Sequence, residues 1–117
     1  MATYSKRLLS GSTDGKGIKV VATATPGTLI HTAVASLTDF DEVWVWAYNG
    51  HTGTLALTIE FGGVAVPDNN IIVTLASKSG LVPIIPGLIL QNGAIVRAFA
   101  ASGNLIVLSG FVNRITA

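Results

Sequence analysis

The stretch Asp41–Gly50, DEVWVWAYNG, decides the fold class, because Trp44, Trp46 and Tyr48 occupy alternate positions and the residues between them are small and apolar. Successive side chains of a β-strand point to opposite faces of the sheet. The spacing therefore predicts one strand with an aromatic face and an aliphatic face. Both faces avoid water, which favours a strand sandwiched between two apolar layers, one of which a neighbouring molecule can supply.

Three interpretations of the aromatic residues remain open from the sequence. They can fill the core, which we favour, or anchor a protein interface, where Trp and Tyr are enriched. They can also stack on sugar rings, although this strand offers few polar groups to bind hydroxyls.

Turn-forming residues recur at short intervals on both sides of this stretch, and the runs between them are rich in Val, Ile, Leu and Thr. Such spacing is typical of an all-β sandwich or barrel, and no sustained period of 3.6 residues predicts a helix. The predicted strands are Lys6–Ser10, Ile18–Thr25, Thr28–Ser36, Glu42–Asn49, Thr54–Phe61, Ile71–Ala76, Leu81–Ile85, Ile95–Ala101 and Leu105–Thr116.

The run TLALTIEF at 54–61 alternates cleanly and predicts a half-buried strand, with its Leu, Ile and Phe residues inside and Thr58 and Glu60 outside. The sequence NGHTG at 49–53 joins it to the Trp strand through residues that tolerate positive φ. We therefore predict that the two strands form a hairpin. In the strand 105–116 both faces look covered, with Val107 and Phe111 on one side.

The segment LVPIIPGLIL at 81–90 contains Pro83 and Pro86, which cannot donate hydrogen bonds to a sheet. It is therefore predicted to be an edge strand or a loop. Its apolar side chains either pack under the core of the same molecule or dock on a neighbour.

The composition predicts a protein partner. Charged residues make up 11% of the chain and hydrophobic residues 50%, whereas an average domain has about 25% charged residues. Mean hydropathy is +0.62. A chain of 117 residues fits one domain with roughly 6,000 Å² of surface. We expect another protein to cover part of this apolar surface.

Several classes are disfavoured. The chain has no cysteine, so disulfides and thiolate chemistry are absent. Its net charge of +1 predicts no direct nucleic-acid partner and no membrane-binding patch. No apolar run is long enough for a membrane-spanning helix, and LLSGSTDGKG after Lys6 and Arg7 argues against a signal peptide, so the chain is expected to begin near Met1.

We predict that the chain is not an enzyme and holds no metal or cofactor. His31 lies within a strand, where we expect its hydrogen bonds to be satisfied, and His51 lies in a turn. Asp39, Asp41 and Glu42 are close enough in sequence to contact calcium, but a solvated turn is the favoured interpretation.

The first 16 residues form the most polar segment and include Lys6, Arg7 and Lys16. They are either a solvated first strand or, as we favour, a flexible arm that orders on a partner. The predicted organisation is a single β-sandwich domain over residues 1–117 that carries this arm.

Three phrases in the chain resemble those of a known protein group. The segment KRLLSGSTDGKGIKVVATATPGTLIHTA at 6–33, the run LTIEFGG at 57–63 and the closing GFVNRI at 110–115 resemble small structural proteins of tailed bacteriophages. They are similar to capsid decoration, or cement, proteins, and the likeness spans nearly the whole chain.

The resemblance implies an antiparallel β-sandwich of jelly-roll type on the outer surface of the virion capsid. It also implies a homo-oligomer, a dimer or trimer, that binds the major capsid protein and clamps neighbouring subunits. Alternatives are a fibre-base or tail component and a glycan-binding β-sandwich. The residues predicted to form interfaces are Lys6, Arg7, Leu8, Trp46, Ile84 and Ile85.

Overall fold

A computed structural model describes residues 2–117, and these residues form nine β-strands and no helix, hence none long and apolar enough to cross a membrane. The strands are β1 (Thr3–Leu8), β2 (Ile18–Lys19), β3 (Thr28–Thr32), β4 (Phe40–Asn49), β5 (Leu55–Phe61), β6 (Asn70–Leu75), β7 (Val82–Leu90), β8 (Ile95–Ala100) and β9 (Ile106–Thr116). Each predicted strand corresponds to one of them, with shifted ends.

The strands form two antiparallel sheets packed face to face. Sheet A has the order β1-β9-β4-β7, with β2 also paired to β9, and sheet B has the order β3-β8-β5-β6. The last two strands of the chain are central strands of their sheets: β9 lies between β2 and β4 in sheet A, and β8 lies between β3 and β5 in sheet B. This is the strand order of a jelly roll. The predicted antiparallel β-sandwich is thus confirmed.

The core lies between the sheets and is filled by alternate residues of each strand. In β4 the inward residues are Val43, Val45 and Ala47, and they belong to the same buried cluster as Leu57 and Ile59 of β5. Burying such an aliphatic side chain contributes about 1.5–3 kcal/mol. The small residues of the opening stretch, and not its aromatic residues, therefore face the core.

The turn NGHTG does not form the predicted hairpin, because β4 belongs to sheet A and β5 to sheet B. Asn49 fixes this crossing: its Nδ2 donates to the carbonyl of Leu75 at 3.0 Å, and Gly50 N donates to the carbonyl of Leu105 at 2.9 Å. The residues do turn, but β4 and β5 face each other across the core instead of pairing.

The predicted strand Ile18–Thr25 is paired only over Ile18–Lys19, because the chain then crosses to the outside of sheet B. There Thr25 Oγ1 and Gly27 N donate to the carboxylate of Glu60 at 2.5 and 2.7 Å. Glu60 is 1% exposed as a result. The prediction that the second face of β5 meets solvent was therefore wrong at Glu60 and also at Thr58, which is 8% exposed.

The proline-containing segment at 81–90 was predicted to be an edge strand or a loop, and it is an edge strand. In β7, Pro83 pairs with Trp46 and Pro86 with Trp44, and the register shifts near both prolines. At the opposite edge of sheet A, β1 pairs with β9 from Thr3 to Leu8. The first residues thus form a strand in the protomer, and their ordering on a partner stays a prediction.

Candidate interaction surface

The outer face of sheet A gathers the aromatic residues of three strands. Directly opposed residues of antiparallel strands share a face, so Leu8, Phe111, Trp44 and Pro86 form one row across β1, β9, β4 and β7. We call the surface made by the outward residues of sheet A the aromatic face; its main members are Tyr4, Leu8, Phe40, Trp44, Trp46, Tyr48, Phe111 and Ile115.

Three of its rings form a stacked cluster. The centroids of Trp44 and Trp46 are 6.4 Å apart, and Phe111 lies 6.3 Å from Trp44 and 6.0 Å from Trp46. Lys6 Nζ lies 4.7 Å from the centroid of the Phe111 ring, within range of a cation–π interaction. The strands β1, β9 and β4 thus contribute to one continuous contact surface.

Gly87 sets the position of the Trp44 ring. The backbone of Gly87 has a φ of +85°, and a Cβ added there would lie 2.7 Å from Trp44 Cζ2. The indole therefore packs against the bare backbone of β7. Any larger residue at position 87 would displace the ring or strain the chain.

A polar row crosses the aromatic face next to the rings. Lys6 pairs with Asn113, which pairs with Glu42 on its other side. Glu42 Oε1 accepts hydrogen bonds from Trp44 Nε1 at 2.7 Å and Asn113 Nδ2 at 3.1 Å. These bonds lower the pKa of Glu42, so the face keeps a fixed negative charge beside its indole cluster.

The aromatic residues are therefore not core residues, and the core interpretation was wrong. Trp44, Trp46 and Tyr48 are half-buried on the outside of sheet A, while Tyr4 and Leu8 are 71% and 53% exposed. The total accessible surface is 6040 Å², close to the value expected from chain size. A substantial part of it is aromatic or aliphatic, as the composition predicted.

The predicted interface residues divide into two groups. Lys6, Leu8 and Trp46 come together on the aromatic face. The others lie elsewhere: Arg7 is exposed on the opposite side of β1, where its Nε donates to Ser5 Oγ, and Ile84 packs partly against the core. Ile85 is 1% exposed and belongs to the core, so its prediction as an interface residue was wrong. The register shifts of β7 turn its side chain inward.

Sequence reasoning missed Tyr4, Glu42 and Asn113 as members of this surface. Phe111 could have been predicted from the sequence to lie on the outer face, because it has the opposite parity to Leu108 and Val112, which are buried, along the last strand. The pairing of β1 with the end of β9 joins residues about a hundred positions apart, and no local pattern predicts such a contact.

His31 belongs to a buried polar network, and its prediction as a satisfied strand residue is confirmed. Its Nδ1 accepts from Ser10 N at 3.0 Å and its Nε2 lies 2.7 Å from Asp41 Oδ2. Arg114 donates to both oxygens of Asp41, at 2.8 and 3.0 Å. Burial raises the pKa of Asp41, but the hydrogen bonds from Arg114 and His31 and the charge of Arg114 bring it below its ordinary value.

The remaining polar candidates do not converge. Asp39 accepts from Ala117 N, Asp41 points into the core and Glu42 points outward. The favoured solvated turn was wrong at Asp41 and Glu42, because both belong to strand β4. His51 is a half-buried turn residue whose N donates to Asn49 Oδ1. Within residues 2–117 the structure contains no pocket and no group of acidic residues and histidines placed to hold a metal ion. The candidate site is therefore an open face.

Comparison of the chain with protein-family models, curated proteins and solved structures finds no match.

Proposed function

We propose that this chain is a structural protein of a bacteriophage virion, a capsid decoration protein that binds the outside of the major capsid protein shell and stabilises it. The observation that supports the proposal is the aromatic face, an exposed apolar surface held on a rigid sheet. The resemblance of the segments at 6–33, 57–63 and 110–115 to phage decoration proteins supplies the biological setting.

The proposed role needs contacts and no chemistry. An exposed face of stacked Trp and Phe rings matches the residue types that dominate protein interfaces. If several copies in one oligomer touch several capsid subunits, weak individual contacts add through effective concentration. The oligomer then holds adjacent subunits together without any catalytic residue.

The test is binding to shells assembled from the major capsid protein that is encoded with this chain and prepared without the decoration protein. The wild-type protein should sediment with the shells and raise their melting temperature. Leu8→Ser, on the aromatic face, should weaken retention at least about tenfold, as expected for loss of a central apolar contact. The matched control is Ile72→Ser, since Ile72 is 67% exposed on sheet B. Wild-type protein that stays in the supernatant contradicts the proposal.

A glycan-binding module is the second candidate, because the structure places Glu42 and Asn113 beside Trp44. Flat rings with adjacent hydrogen-bonding groups suit sugar recognition. Trp fluorescence titrated with bacterial surface polysaccharides distinguishes the candidates. A saturable change that Trp46→Ala abolishes supports glycan binding, and an unchanged spectrum rejects it.

A further inference from the structure

We propose that the aromatic face is occupied by a second copy of this chain, packed sheet on sheet about a two-fold axis that runs along β9. The inference deepens the proposed function, on which it rests: the aromatic face joins two copies and the remaining surface of each copy is left to contact the shell. Leu8→Ser then weakens retention on shells because it separates the copies and removes their combined binding. Three features support a second copy: the area of the face, the placement of its charges and the order of its apolar residues.

The area of the face suits a dimer interface. Strand β4 has ten residues, which span about 33 Å at roughly 3.3 Å per residue. A half-turn about β9 superposes the three strands β1, β9 and β4, while β7 of each copy lies beyond β1 of the other. These three strands are about 14 Å across at roughly 4.8 Å each. The flat footprint is therefore about 480 Å² per copy, which is the size of a small dimer interface rather than of a standard one.

The charges on the face are complementary to themselves. Lys6 on β1 and Glu42 on β4 both stand opposite Asn113 of β9, one on each side of it. Neither has an opposite charge within ion-pair distance in the residues 2–117 that the structure describes. A half-turn about β9 places Lys6 of each copy over Glu42 of the other, so two ion pairs form at once. A two-fold interface requires this self-complementarity.

The apolar residues follow the same symmetry. In the next row Leu8 and Trp44 stand on the two sides of Phe111. The half-turn about β9 therefore sets Leu8 over Trp44 of the second copy and Phe111 over its own equivalent. In the row of Val107, the half-turn sets Lys19 of β2 over the Tyr48 ring of the second copy, where a cation–π contact can form. Two twisted sheets pack face to face in this manner about 10 Å apart.

The experiment is a charge swap measured by sedimentation equilibrium and native mass spectrometry of the full chain without capsid shells. The wild type should form a dimer. Lys6→Glu and Glu42→Lys should each weaken the dimer at least about tenfold, because each puts like charges opposite one another. An equimolar mixture of the two variants should form the mixed dimer, since acidic pairs then meet basic pairs. The double variant K6E/E42K should dimerise like the wild type.

Leu8→Asp is a second probe that does not disturb the hydrogen bonds of Glu42, and Ile72→Asp is its control on the outer surface of sheet B. Leu8→Asp should be monomeric and Ile72→Asp dimeric, with circular dichroism confirming that both are folded. A monomeric or trimeric wild type overturns the proposal. So does a mixture of the charge variants that stays monomeric, or a Leu8→Asp dimer as tight as that of the wild type.

These outcomes are separable from those for the proposed function. A wild-type protein that is monomeric in solution but binds shells overturns the two-fold dimer alone. A charge-swappable dimer that does not bind shells overturns the capsid role alone.

Discussion

Arg114 holds Asp41 through both carboxylate oxygens, Nε to Oδ1 at 2.8 Å and Nη2 to Oδ2 at 3.0 Å, at the end of the sandwich where β4 and β9 pair. Asp41 also lies 2.7 Å from Nε2 of His31, which belongs to the other sheet. One buried carboxylate therefore links sheet A to sheet B. Hydrogen-bond donors of Arg114 and His31 surround the Asp41 carboxylate and offset the free-energy cost of burying its charge.

We expect Arg114→Met to lower the free energy of unfolding by about 3 kcal/mol, because removing one partner leaves a buried charge uncompensated. Urea unfolding followed by Trp fluorescence measures the change. Arg97→Met is the control, since Arg97 donates only a long bond of 3.4 Å to the carbonyl of Gly27. Equal losses in the two variants would contradict the role of the Asp41 pair.

The Asp41–Arg114 pair also predicts a dependence of stability on pH. The pKa of Asp41 is lowered in the folded protein, so the pair stabilises the fold above the unfolded pKa of about 3.9 and this contribution is lost as pH falls through the folded value. The urea midpoint of the wild type should fall below about pH 4. In Arg114→Met, burial without the guanidinium favours the neutral acid, so the decline should shrink or reverse. Parallel curves for the two proteins refute this prediction.

Glu60→Met should destabilise the fold by about 1–3 kcal/mol, because Glu60 accepts hydrogen bonds from Thr25 Oγ1 and Gly27 N and a thioether of similar length replaces neither carboxylate oxygen. Thermal unfolding and protection of the Gly27 amide from hydrogen exchange measure the effect. Asp68→Asn is the control, since Asp68 is exposed. Unchanged protection of Gly27 would show that the carboxylate does not hold this loop.

Gly87→Ala should cost more than Gly93→Ala, although both glycines have positive φ, +85° and +69°. Either substitution pays the left-handed backbone cost of about 1 kcal/mol. Only at position 87 does the new Cβ collide with a ring, whereas nothing lies within 4 Å of it at position 93. The difference in unfolding free energy, with a shift of Trp emission in Gly87→Ala alone, checks the contact. Equal costs and unshifted spectra would exclude it.

The sequence was sufficient for the strands but not for their partners. Alternation in DEVWVWAYNG correctly separated Trp44 and Trp46 from Val43 and Val45. Both sets are apolar, so the pattern could not tell which one faces the core. The choice is made by β9 and β7, which flank β4 and bring Phe111 and Gly87 to the Trp side.

The same limit explains the errors at Glu60 and at NGHTG. Alternation placed Glu60 on the outer side of β5, which is correct, but a loop from another part of the chain covers it. The turn residues at 49–53 were recognised, yet a turn can join paired strands or cross between sheets. Long-range contacts such as that of Asn49 with Leu75 decide between the two.

The position of β9 has a consequence for biosynthesis. This strand is the neighbour of β1, β2 and β4, and it follows all of them in the chain. While residues 106–116 are still within the ribosome, the earlier strands of its sheet have no central strand to join, and the indoles of β4 lack Phe111. Sheets built from such distant segments form slowly. The nascent polypeptide therefore exposes the Trp side chains of β4 until β9 has left the ribosome and paired with it.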